Sequence, residues 1–131
     1  ELIINLLSWM HQNKADFTNT FCYLMNKYNQ KNEIYNEKVF TLWKKKWEDR
    51  IKLNNNSKEK SLIIMNKVNP LIIPRNHLVE EALNHSIETN DFKKIHELIQ
   101  VLQNPYDINP LTFDYQSTPS LEKNFVTYCG T

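Results

Sequence analysis

The sequence predicts an all-α fold: a bundle of about six helices in antiparallel hairpins, followed by an irregular C-terminal tail. Three observations carry that expectation. In one stretch after another, apolar side chains return every three or four residues, the period of a helix with one buried face, rather than alternating as on a half-buried strand. Only one glycine occurs, Gly130, which disfavours all-β folds, whose tight hairpin turns want residues at positive φ. Polar caps and prolines stand where the periodic stretches begin and end, as helix start and stop signals should. With 131 residues, 40 % of them hydrophobic, the chain is globular in composition and can bury a core.

Leu2, Leu6, Trp9 and Met10 share one face of a first helix, widened by Ile3 and Leu7, and Asn13-Lys14 ends it. Asp16 caps a second helix with Phe17, Phe21, Leu24, Met25 and Tyr28 on one side; the short polar turn between the two makes them an antiparallel pair. After a polar loop at 29–32, the spacing of Phe40, Trp43, Trp47 and Ile51 predicts the longest helix, over 33–53. Lys44, Lys45 and Lys46 gather charge beside two tryptophans, but consecutive residues point in different directions around a helix, so a solvated face is expected there rather than a nucleic-acid patch. An asparagine turn at 54–56 leads to a fourth helix from Ser57 that buries Leu62, Ile63, Met65 and Val68.

Pro70 and Pro74 then force the chain to cross extended, because each fixes its own φ and biases the residue before it away from the helical region. A fifth helix restarts with Asn76 as its cap and carries Leu78, Val79, Ala82, Leu83 and Ser86/Ile87. Thr89-Asn90-Asp91 breaks it and caps a sixth, with Phe92, Ile95, Leu98, Ile99 and Leu102, which Asn104-Pro105 stops. The pair reads as a tight helical hairpin. Beyond Tyr106 the aromatic residues Phe113, Tyr115, Phe125 and Tyr128 keep no period, so residues 106–131 read as a tail whose rings lie in grooves, with 126–128 as a short extended end, apart from a bundle over 1–105.

Charge and composition exclude several functions. Sixteen basic residues against 15 acidic give a formal net charge of +1, so no overall field attracts nucleic acid or an anionic membrane. A phosphate cradle needs backbone unobstructed by Cβ atoms, and a chain with one glycine can write neither a P-loop, a dinucleotide fingerprint nor a kinase-type loop. No apolar run is long enough to span a bilayer, and no basic region leads a hydrophobic core as in a signal peptide. A chain starting at Glu1 reads as an excised piece. Two cysteines, Cys22 and Cys129, make no disulfide framework, and a cytosolic or organellar compartment is expected.

No catalytic constellation is legible. His77 and His85 stand eight residues apart, too far for the adjacent-turn spacing that holds zinc, His11 and His96 lie elsewhere, and the consecutive Glu80 and Glu81 splay apart. Cys22, beside Phe21, reads as a small buried hydrophobe, whereas Cys129, near the chain end, reads either as an accessible thiol able to reach a second cysteine or, as composition alone favours, as an inert terminal thiol. Arg75 draws attention because a cation at a helix N-terminus is disfavoured by the dipole. It either reaches another part of a larger protein or an anion such as phosphate, or is solvated or paired locally.

The series Asn69-Pro70, Arg75-Asn76-His77-Leu78, Glu80, Ala82-Leu83, Asp91-Phe92, Leu98, Leu102 and Asn104-Pro105-Tyr106 resembles the C-terminal region of the selenoprotein O family, and Tyr128-Cys129-Gly130-Thr131 is similar to its cysteine- or selenocysteine-bearing end. The resemblance implies a pseudokinase-like protein adenylyltransferase that uses ATP and magnesium to move AMP onto protein hydroxyls. The family's lysine, glutamate and metal-binding motifs would lie upstream of this chain, in a kinase-like core that is its expected partner, so no catalytic residue and no metal ligand carries over. Cys129 would be a redox residue pairing with a cysteine of that core. The tail departs from the family in ending Cys-Gly-Thr and in having Ser120-Leu121 after Pro119 where a tryptophan is common. A cytoplasmic location, or a mitochondrial one in a eukaryote, follows from the same resemblance. The competing expectation is a free-standing helical module that holds peptides or partner helices between its hairpins.

Overall fold

The computed structural model describes residues 1–28, 32–54 and 57–119. Among these residues all regular structure is helical: α1 (Leu2–Gln12), α2 (Phe17–Leu24), α3 (Lys38–Lys52), α4 (Lys58–Val68), α5 (Asn76–Thr89) and α6 (Lys93–Gln103), with 3-10 turns at Glu33–Asn36 and Asp114–Gln116. The contacts group the chain into two compact units, Glu1–Pro70 and Leu71–Thr131. Residues 106–119, the described part of the expected tail, make successive turns and the second 3-10 turn.

The first unit is built on aromatic packing. Leu6, Trp9 and Met10 of α1, Leu24 of α2, Tyr35, and Phe40 and Trp43 of α3 form one buried cluster. Phe40 is fully buried, with its ring centroid 4.4 Å from that of Trp9, and Tyr23 stacks on Tyr35 at 4.3 Å. α1 pairs chiefly with α3 rather than with its sequence neighbour α2. Polar handles fix that pairing, since Trp43 Nε1 donates to the Leu2 carbonyl at 2.9 Å and Trp9 Nε1 to the Glu37 carboxylate at 3.4 Å. Lys44 lies over the Tyr23 ring, 4.8 Å from its centroid, while Lys45 and Lys46 are exposed, so the lysine triplet does splay.

Helix ends account for most departures from the expected boundaries. Asp16 caps α2 as expected, its Oδ1 accepting the Asn19 N–H at 2.8 Å. The helix stops at Leu24, short of Tyr28, because Asn26 enters the left-handed region at φ 59°. The Lys27 N–H then reaches back to the Cys22 carbonyl and that of Asn26 to Tyr23, the paired bonds of a Schellman ending. α1 ends the same way on Lys14, at φ 50°. The predicted helix over 33–53 breaks at Glu37, which is extended at ψ 142°; the break lets Tyr35 bury, its hydroxyl 3.2 Å from that of Thr20.

Several positions expected on buried faces turn outward. Ile63 and Val68 of α4 are 56 % and 68 % exposed, and Phe17 of α2 also faces outward, its place taken by Asn19, Thr20 and Cys22. No residue of α4 is fully buried among those described.

In the second unit α5 and α6 pair as the predicted hairpin. Asn90 turns the chain at φ 55°, and Asp91 Oδ1 accepts the Lys93 N–H at 2.9 Å, which starts α6. Ala82, Leu98 and Val101 are buried, but Leu83, Ile87 and Ile99, expected on the inner faces, are largely exposed. No described helix is long and apolar enough to cross a membrane.

Candidate functional site

The stretch from the end of α4 to Tyr106 carries the motif residues, and its backbone bonding explains their types. Asn69 closes α4 by donating both its N–H and its Nδ2 to the Met65 carbonyl, at 2.9 and 2.8 Å, so one residue satisfies an end carbonyl twice over. Pro70 has no N–H to leave unpaired, and its carbonyl accepts from the Cys22 thiol at 3.7 Å. Cys22 has no exposed surface, as a small buried hydrophobe should.

In the second unit Leu71 is completely buried and bonded on both sides. Its N–H donates to the Pro105 carbonyl at 2.7 Å, and its own carbonyl accepts from Gln116 Nε2 at 3.2 Å. The Leu71–Pro105 bond brings Asn104-Pro105-Tyr106 alongside the chain entering α5, joining motif residues far apart in sequence. The Asp107 N–H donates to the Asn104 carbonyl at 3.2 Å, so this segment turns immediately after Tyr106.

Arg75, not Asn76, occupies the cap position of α5, with φ −98° and ψ 127°. Its carbonyl accepts from the N–H groups of Leu78 and Val79, both at 3.0 Å. The residue is only 9 % exposed, which sets aside the solvated reading: burial holds an extended residue here, and helical dihedrals begin at Asn76. Asn76 is exposed and His77 half-buried, while Tyr106 keeps 41 % of its surface. Among the motif residues of this unit, Arg75 therefore faces inward and Asn76 and Tyr106 outward. Cys129, Gly130 and the expected extended end at 126–128 lie outside the described residues.

Sequence reasoning missed Thr112 and Gln116, both fully buried in a stretch that had been read as tail. Their signal was local turn chemistry. Asn109 Oδ1 accepts the Leu111 N–H at 2.9 Å and the Asn109 N–H donates to Thr112 Oγ1 at 2.8 Å, a closed Asn-x-x-Thr turn around Pro110.

The chemistry available is modest. A hollow of about 230 Å³ beside α5 and α6 is lined by Glu81, Ala82, Lys94, Glu97 and Tyr115 among others. The Lys94 ammonium is hydrogen-bonded to Glu81, which raises its pKa, and burial raises that of the Tyr115 phenol, reinforced by Glu97. His85 Nε2 lies 3.7 Å from Asp91 Oδ2. Among the described residues no group of three His, Cys, Asp or Glu side chains is placed to hold a metal ion, and none is glycine.

The class to which this helical chain belongs comes from comparing its sequence with known families. The family of protein adenylyltransferase SelO matches over residues 1–103, and the chain belongs to that family, one of nucleotidyltransferases. It is similar to the protein nucleotidyltransferase YdiU of Pelagibacter ubique, 42 % identical over 99 % of this chain and 27 % of the relative. It is also similar to those of Clostridium botulinum, 42 % identical over 100 % of the chain and 27 % of the relative, and Clostridium perfringens, 43 % identical over 99 % and 26 %. The chain thus spans about a quarter of the length of the relatives it matches. No solved structure matches it.

Proposed function

We propose that this chain is the helical C-terminal portion of a protein adenylyltransferase and that it buttresses a kinase-like core which handles ATP and magnesium. The observation that carries the reading is the family match over most of a chain that covers only about 27 % of its relatives. In the transfer, a protein hydroxyl oxygen attacks the α-phosphorus of ATP, the bond to the β-phosphate bridge breaks, and pyrophosphate leaves. Every group that acts on those atoms belongs to the core. The motif residues Asn69, Pro70, Arg75, Asn76, His77, Asn104, Pro105 and Tyr106 act structurally, holding the frame on which this portion is built. Its partners are the core and, through the core, protein substrates, in a cytoplasmic or mitochondrial setting.

The intact protein should transfer label to a protein substrate from ATP labelled at the α-phosphate and not from ATP labelled at the γ-phosphate. The reverse pattern would make it a kinase and end the proposal.

Cys129 serves as a redox latch in this reading. Its thiol and a core cysteine thiol become a disulfide by exchange with a disulfide oxidant, which takes up their two electrons and two protons and leaves as two thiols. Replacing Cys129→Ser should remove any dependence of AMP transfer on added reductant, and an unchanged dependence would rule the latch out.

A further inference from the structure

We draw no further inference here: the strongest candidate, the hollow beside α5 and α6 rimmed by Glu81, Glu97 and Asp114, is a cluster of acidic side chains in which Glu81 already holds Lys94, and nothing in the structure shows what would enter it.

Discussion

Tyr35 shows how one side chain ties local backbone to the core. Its ring is 2 % exposed and stacked on Tyr23. Burial pushes its phenol pKa from 10.0 up to about 12. Because the folded pKa lies above the unfolded one, the contribution of the neutral phenol is fully present below pH 10 and is lost as pH rises through about 12. Urea unfolding at a series of alkaline pH values should therefore show the unsubstituted chain losing up to about 2 kcal/mol more than Tyr35→Phe over that window. Parallel curves for the two proteins would contradict it. That the aromatic residues make a core was legible from their helical spacing. That Tyr35 needed a break in the helix was not, because the partner that rewards it, Thr20, is distant in sequence.

At the scale of elements, the near absence of glycine has a cost. Left-handed positions that glycine would fill fall to Lys14, Asn26 and Asn90. Asparagine tolerates that region, whereas a lysine there carries a Cβ clash. Lys14→Gly should raise unfolding stability by roughly 0.5–1 kcal/mol, read as a shift in denaturant midpoint at constant slope; a loss of stability would mean that the Lys14 side chain matters more than its backbone. The existence of all six helices could be read from periodicity, and the starts at Asp16 and near Asp91 from cap chemistry. The early stop of α2 could not, since Asn26 has no distinguishing neighbour in sequence. The inner faces of α4, α5 and α6 were assigned from apolar residues alone. Ile63, Ile87 and their like satisfy that pattern while facing outward, because periodicity says which residues share a face and not which face meets a neighbour.

For the molecule as a whole, family membership was legible in an ordered series of Asn, Pro, Arg and Tyr positions, and the structure supplies reasons for several of them. Asn69 doubles the closure of α4, Pro70 needs no donor, and the Pro105 carbonyl receives Leu71. The fully buried Thr112 and Gln116 were hidden because a short turn closed by side chains has no period to detect. Exposed aliphatic side chains are abundant on α1, α4 and α5, which supports the proposal that a larger partner covers this chain. A self-sufficient bundle would be expected to turn fewer of them outward.

In the proposed reading, transfer chemistry lies outside these 131 residues while the packing frame lies within them. The decisive experiment incubates the isolated chain with α-labelled ATP, magnesium and a protein acceptor, beside the intact protein at equal concentration. Labelled acceptor is expected with the intact protein and none with the chain alone; label delivered by the chain alone would end the proposal.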